Sequence, residues 1–122
     1  MRFVTKEIHA YLDYPVAVAL MILPFVLGLG AVNAMAWKLS LIVGIAAFVL
    51  TLLTDHQFGV YKIISYKGHL IVDGIVGASF VLAPFLFGFE GMDAYYYWIN
   101  GLAVLTVVSL HKPETNFQKA KN

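Results

Sequence analysis

The chain has 122 residues, of which 61% are hydrophobic and 12% are charged, and its mean hydropathy is +0.80. Soluble domains are about 45–50% apolar and about 25% charged, so the composition excludes an ordinary soluble domain and favours contact with a lipid bilayer. A net charge of +1 without a basic stripe argues against a nucleic-acid partner. The absence of cysteine excludes disulfides, thiolate metal sites and cysteine nucleophiles.

Four apolar runs predict four transmembrane helices, at about 12–32, 37–54, 70–89 and 94–110. A helix needs about 20 residues, with a range of about 17–25, to cross the hydrocarbon core. The first and third runs reach this length easily. The second and fourth runs are shorter, and aromatic residues such as Trp37 and Trp98 would anchor them at the membrane interface. The first run could also be taken for a cleaved leader, but it contains Asp13 and its pattern recurs later in the chain.

The chain contains an internal repeat. The pattern His9-x-x-x-Asp13 with Pro24-Phe25-x-x-Gly28 returns as His69-x-x-x-Asp73 with Pro84-Phe85-x-x-Gly88. A weaker match between the second helices pairs Val49-Leu50-Thr51 with Val104-Leu105-Thr106. Each half holds an even number of helices, so both halves have the same orientation in the membrane. The sequence therefore predicts an all-α integral membrane protein, in which two parallel helical-hairpin repeats form a four-helix bundle.

The repeat and the basic residues together predict the organisation and orientation of the chain. A single membrane domain covers residues 1–122, with repeat 1 at about 9–56, an interfacial loop at 57–68, repeat 2 at about 69–111 and a cytoplasmic tail at 112–122. Most basic residues fall on the side of the termini and the central loop: Arg2, Lys6, Lys62, Lys67, Lys112, Lys119 and Lys121. By the positive-inside rule both termini are cytoplasmic, and the protein is a multi-pass protein of the inner membrane.

Two prolines and two glycines of the repeat receive structural roles. Pro24 and Pro84 are predicted at mid-span, where each removes a backbone donor and kinks its helix. A matched pair of packing kinks is the favoured interpretation, and a kink that opens a ligand cleft is the alternative. Gly28 and Gly88 are grouped with them as structural positions.

Several motifs resemble those of a known family. They are Thr5-Lys6 with His9 and Asp13, Leu53-Thr54-Asp55, and His69-Leu70-x-x-Asp73 leading to Pro84-Phe85-Leu86-Phe87-Gly88-Phe89. Over about residues 4–110 the chain resembles the bacterial SPW-repeat membrane proteins, which are named for a Ser-Pro-Trp tripeptide inside a transmembrane helix. Here the tripeptides are Leu23-Pro24-Phe25 and Ala83-Pro84-Phe85, so no role of the serine hydroxyl or the indole N–H carries over. The resemblance implies a small multi-pass bacterial membrane protein and assigns it no reaction.

Ionisable residues concentrate at the predicted cytoplasmic face. They are His9, Asp13, Asp55, His56, His69, Asp73 and His111. In each His-x-x-x-Asp pair the two side chains lie one turn apart on one helix face. The repeat symmetry predicts that His9 comes near Asp73, and that His69 comes near Asp13.

Three interpretations of this cluster are open. Its members can act as interhelical contacts, as a metal or haem site, or as a proton or small-ligand site. The candidate metal ligands are His9, Asp13, Asp55, His56, His69 and Asp73. The sequence contains no hydrolase, P-loop or dinucleotide motif and requires no cofactor, so no catalytic residue is assigned and an enzyme is disfavoured. The favoured function is packing or partner association in the bilayer, with a homo-oligomer left open; metal, haem or proton binding is the alternative.

Overall fold

The computed structural model describes residues 5–54 and 59–110. This part of the chain forms four α-helices: α1 Lys6–Val26, α2 Met35–Leu53, α3 Tyr66–Phe87 and α4 Met92–Ser109. Within the same ranges there is no strand, although an isolated parallel bridge joins Thr54 to Ile64 where the chain turns from α2 towards α3. The prediction of an all-α protein is confirmed.

Three of the described helices are long and apolar enough to cross a membrane: α1 from Glu7 to Val26, α2 and α3. The fourth, α4, does not reach the same hydropathy, because Asp93, Asn100 and a run of tyrosines lie within its 18 residues. Membrane-crossing helices are therefore supported for the first three runs, and the composition of α4 is less apolar than the sequence analysis assumed.

Each hairpin is held together by a close approach of its two helices at a glycine. A Cβ added at Gly44 of α2 would lie 3.0 Å from the backbone oxygen of Ala17, and one added at Gly101 of α4 would lie 2.8 Å from that of Gly77. Ala17 and Gly77 are equivalent in the repeat, so Gly44 and Gly101 occupy the same place in the two hairpins. This register differs by two residues from the one predicted by the Val-Leu-Thr match.

The prolines of the repeat lie in the last turns of α1 and α3. The helices end at Val26 and Phe87, so the mid-span position predicted for Pro24 and Pro84 was wrong. The carbonyl of Pro24 accepts a hydrogen bond from the Leu29 N–H at 2.8 Å, and that of Pro84 accepts one from Phe89 at 3.0 Å. The intervening glycines, Gly28 and Gly88, have φ of 66° and 70°. Glycine adopts this left-handed conformation without a Cβ penalty, so both helices end in the same tight turn.

The two hairpins meet at the end of the bundle where these turns lie. The Tyr96 hydroxyl donates to Ser40 Oγ at 2.6 Å, and the Tyr97 hydroxyl donates to the Ala36 carbonyl at 2.6 Å. The Tyr97 ring packs on Phe80 and Phe89 with centroid separations of 4.7 and 4.9 Å. These contacts connect α4 to α2 and fill the core at this end, which we call the turn end of the bundle.

Candidate metal centre

The opposite end of the bundle, which we call the cluster end, begins with two equivalent helix caps. The Thr5 hydroxyl accepts a hydrogen bond from the Ile8 N–H at 3.1 Å, and the Ser65 hydroxyl accepts one from the Gly68 N–H at 3.0 Å. A cap hydroxyl satisfies one of the free N–H groups in the first turn and fixes where the helix starts. As a result His9 and His69 stand at the same height on α1 and α3.

The two histidines and the two aspartates of the repeat converge between α1 and α3. His9 Nε2 lies 2.9 Å from the Asp13 carboxylate and 2.8 Å from that of Asp73. His69 Nε2 lies 3.5 Å from the Asp13 carboxylate and 3.3 Å from that of Asp73. One ligand atom from each residue can be chosen so that all four lie within 4.8 Å of one another. The predicted proximity of His9 to Asp73 and of His69 to Asp13 is therefore observed.

The cluster is withdrawn from solvent. His9 and His69 are 4% and 2% exposed, and the side chains of Asp13 and Asp73 are 8% and 20% exposed. Ionised carboxylates in such a place are costly unless positive charge or hydrogen-bond donors compensate them. Two imidazolium ions or one divalent cation would balance the two aspartates, so charge compensation is a requirement of this site.

Thr54 fixes the protonation of one ring nitrogen of His69. Its hydroxyl donates to the Leu50 carbonyl at 2.5 Å and lies 2.7 Å from His69 Nδ1. A hydroxyl has one hydrogen, so Thr54 must accept from His69, and Nδ1 carries the proton. In the neutral ring Nε2 then carries no proton, and its lone pair points towards the carboxylates of Asp13 and Asp73. This is the arrangement of metal-binding histidines, whose second nitrogen donates to a fixed acceptor.

His9 differs from His69 in this respect. Its Nδ1 is buried and has no hydrogen-bond partner among the residues that the structure describes. Its Nε2 makes the two shortest contacts of the cluster, to Asp13 and Asp73. The two halves of the site therefore offer the same kinds of ligand atom, but among the described residues only His69 has a hydrogen-bond partner for its Nδ1.

The spacing and chemistry of the cluster fit a single metal ion. Ligands at about 2.0–2.2 Å from a tetrahedral ion lie about 3.3–3.6 Å from one another. The four His–Asp separations, from 2.8 to 3.5 Å, are within about half an ångström of that spacing, with Oδ1 of Asp13 facing His9 and Oδ2 facing His69. With one ligand atom from each residue, all separations are within 4.8 Å. Imidazole and carboxylate together suit divalent first-row metals. A haem does not fit, because its macrocycle would have to occupy the space between the imidazoles that the carboxylates fill.

The other residues named from the sequence fall into two sets. Asp55, His56 and His111 lie outside the described residues. Pro24, Pro84, Gly28 and Gly88 lie at the turn end, away from the cluster, where they shape the ends of α1 and α3. The observed constellation thus consists of the two repeat pairs, to which Thr54 adds an outer contact.

Sequence reasoning missed Thr54. Thr54 was named only as part of the Leu53-Thr54-Asp55 motif and was given no role. A threonine near the end of an apolar helix normally forms a hydrogen bond to the backbone of its own helix, so it is not an obvious partner for a histidine. The sequence holds no signal for it, because the contact joins α2 of one hairpin to α3 of the other and depends on how these helices pack.

A cavity of about 140 Å³ adjoins the cluster. His9, Asp13, His69 and Asp73 line one end of it, and the rest of the lining comes from α1, α2 and α4: Leu12, Val16, Ala47, Thr51, Asn100, Ala103, Val104 and Val107. The polar cluster therefore faces a mostly apolar space inside the bundle.

Comparisons of the chain with protein family models, with curated proteins and with solved structures gave no match.

Proposed function

We propose that this chain is a small multi-pass membrane protein that binds one divalent first-row metal ion between its two hairpin repeats. The ligands are Nε2 of His9, Nε2 of His69 and one carboxylate oxygen each of Asp13 and Asp73. The observation that carries the proposal is the convergence of these four ligand atoms within 4.8 Å in a buried place.

Charge and tautomer are both compatible with a metal ion. The Thr54 contact directs the second ring nitrogen of His69 towards the carboxylates. In the neutral ring this nitrogen carries a lone pair, which can bind a cation but cannot donate to an ionised carboxylate. A divalent ion also neutralises Asp13 and Asp73 together. Zn²⁺ is a suitable probe because it accepts both nitrogen and oxygen ligands in a tetrahedral site.

A second candidate function is purely structural. The 2.8 Å contact between His9 and Asp73 joins the two hairpins directly, and with protonated histidines the four side chains form a compensated ion-pair network. Interhelical polar contacts of this kind contribute about 0.6–2 kcal/mol each in membranes. This candidate predicts a role in packing without bound metal.

The membrane arrangement proposed here has four spans with both termini in the cytoplasm. The lower hydropathy of α4 is compatible with a span because the hydroxyls of Tyr96 and Tyr97 are hydrogen-bonded to α2 inside the bundle. Lys62 and Lys67 lie at the cluster end, which the positive-inside rule assigns to the cytoplasm of a bacterial inner membrane. Membership of the SPW-repeat family is part of this proposal and is supported by the shared Pro-aromatic and His/Asp motifs.

The test is metal analysis of full-length protein purified in mild detergent without a histidine tag or chelator. We expect about one metal ion per chain, or uptake of about one Zn²⁺ on titration. The double variant Asp13→Asn/Asp73→Asn should lose it, because amides do not supply the two negative charges. Glu90→Gln is the matched control, since Glu90 is an exposed carboxylate at the turn end.

Two results would decide against metal binding. One is a protein that is metal-free after gentle extraction and takes up no Zn²⁺ on titration. The other is a His9→Gln/His69→Gln variant that loses thermal stability while its metal content equals that of the unsubstituted protein. The second result would favour the structural network.

A further inference from the structure

The cavity beside the cluster is a cleft between α1 and α4. Leu12 and Val16 form the α1 wall, and Ala103 and Val107 contribute to the α4 wall. The helix pairs α1/α2 and α3/α4 are closely packed, whereas α1 and α4 belong to different hairpins and leave this space between them. Leu12, Val16 and Ala103 are exposed along it, so the cleft can be reached from outside the bundle.

The cleft extends from the cluster towards the middle of the bundle. Asn100 lines its inner part and is adjacent to Gly101, which packs against Gly77 and Val81 of α3. The lining extends from His9 to Val16 on α1 and from Asn100 to Val107 on α4, so the cleft is about 10 Å long. The Asn100 amide donates to the Tyr96 carbonyl of its own helix at 2.8 Å. The volume of the cleft, about 140 Å³, is close to the ~150 Å³ of an apolar cavity that holds one benzene molecule.

We propose that this cleft binds a small, neutral, mostly apolar molecule that carries one lone-pair donor, and that the donor becomes an additional ligand of the metal ion. The inference rests on the metal site of the proposed function. The apolar walls select an apolar body, and the four metal ligands at one end select a donor atom at that end of the molecule.

Charge restricts the donor to a neutral group. A divalent ion and the carboxylates of Asp13 and Asp73 sum to zero, so a neutral nitrogen or oxygen adds no net charge to a buried site. An anionic head would leave an uncompensated negative charge there, which is costly in a place of low polarity. Tetrahedral sites of this type can expand to five ligands, which makes room for the donor.

Pyridine is the probe, because it has the size of benzene and one neutral nitrogen donor. Full-length protein loaded with Co²⁺ in detergent is titrated with pyridine, and the visible absorption of the ion reports its coordination number. We expect saturable loss of intensity as a fifth ligand binds. Benzoate, which keeps the ring but brings a negative charge, should bind at least about tenfold more weakly.

A substitution that fills the cleft distinguishes ligand binding in the cleft from metal binding at the cluster. Ala103→Phe places a ring in the cleft and should keep the Co²⁺ spectrum while weakening pyridine binding at least about tenfold. Leu102→Phe is the matched control, because Leu102 is the next residue and is exposed outside the cleft lining. Val16→Phe repeats the test from the α1 wall.

The outcomes are distinguishable. No Co²⁺ spectrum in the unsubstituted protein overturns the proposed function, and the cleft ligand falls with it. A Co²⁺ spectrum that pyridine does not change, or that changes equally in Ala103→Phe, Val16→Phe and Leu102→Phe, leaves the metal site in place and overturns the cleft ligand. Benzoate binding as tight as pyridine binding contradicts the charge argument and overturns the neutral class of ligand.

Discussion

The hydroxyl of Thr54 connects the end of α2 to the cluster on α1 and α3. Thr54 is fully buried, and its backbone forms an isolated β-bridge with Ile64. Its hydroxyl oxygen accepts a hydrogen bond from the Nδ1–H of His69 at 2.7 Å. Because the other ring nitrogen of His69 is the proposed metal ligand, Thr54 would act on a bound ion only through the orientation and tautomer of His69, as a positioning residue.

Replacing Thr54 with valine tests that role. Thr54→Val keeps the shape but removes the acceptor for the imidazole proton, so we expect Zn²⁺ affinity to fall by about 10–100-fold, the usual effect of losing such an outer contact. Affinity is measured by competition with a chelating dye. Thr54→Ser keeps the hydroxyl and should stay close to the unsubstituted protein. Equal affinity in the valine and serine variants would contradict the role given to Thr54.

The inner residues of the site could be predicted from the sequence, and the outer contact could not. The repeat places His9 and Asp13 opposite His69 and Asp73, because parallel halves related by a two-fold axis bring equivalent positions together. The partner of His69 Nδ1 comes from another helix, and the sequence match for that helix was two residues out of register. Proximity within the repeat follows from symmetry, whereas contacts between different helices depend on packing.

At the scale of helices, the small residues at the α3/α4 contact determine how closely the second hairpin can pack. Gly101 lies so close to α3 that an added Cβ would meet the Gly77 oxygen at 2.8 Å and the Val81 nitrogen at 3.0 Å. Backbone atoms cannot move aside as the end of a flexible side chain can. Gly101→Ala should therefore separate α4 from α3 and lower the free energy of unfolding by about 1–3 kcal/mol, measured by denaturation in detergent.

Gly74 provides the matched control within the same hairpin. A Cβ added there meets no atom within 4 Å, so Gly74→Ala has space for the methyl group. It should be neutral or stabilise the protein by up to about 1 kcal/mol, because alanine is the better helix former. If both variants lost the same stability, the close approach at Gly101 would not be the cause.

Helix number and order followed from the apolar runs, but two features of the helices did not. The prolines were expected at mid-span because the apolar run continues to residue 32, whereas Gly28 turns the chain and ends α1 at Val26. The hydropathy of α4 falls below that of the other three helices because Asp93, Asn100 and three tyrosines lie within it. Mean hydropathy counts each tyrosine as partly polar wherever its hydroxyl lies. In this bundle the hydroxyls of Tyr96 and Tyr97 form hydrogen bonds to α2, which a segment average does not register.

At the scale of the whole molecule, different chemistry joins the two hairpins at the two ends of the bundle. At the turn end, tyrosine hydroxyls of α4 donate to α2, and the Tyr97 ring packs in an apolar core. At the cluster end, ionisable groups of α1 and α3 meet, and the Thr54 hydroxyl adds a contact from α2 to His69. The contacts at the turn end therefore do not depend on ionised groups, whereas attachment at the cluster end depends in part on how the charges of the cluster are compensated.

This division predicts how metal changes stability. A ligand that binds only the folded protein stabilises it by about 2.7 kcal/mol at a concentration 100 times its dissociation constant. Saturating Zn²⁺ should therefore raise the free energy of unfolding of the full-length protein by about that amount. His9→Gln, which removes one ligand, should lose most of the increment when unfolding is followed by circular dichroism with Zn²⁺ and with chelator.

Tyr97→Phe is the control for the other end. It removes the hydrogen bond to the Ala36 carbonyl and should lower stability by about 0.6–2 kcal/mol whether or not Zn²⁺ is present. Since the two sites share no partner, the effects of zinc and of Tyr97→Phe should add. A zinc increment that survives in His9→Gln would show that the ion binds elsewhere. One that disappears in Tyr97→Phe would mean that the two ends of the bundle do not hold the hairpins independently.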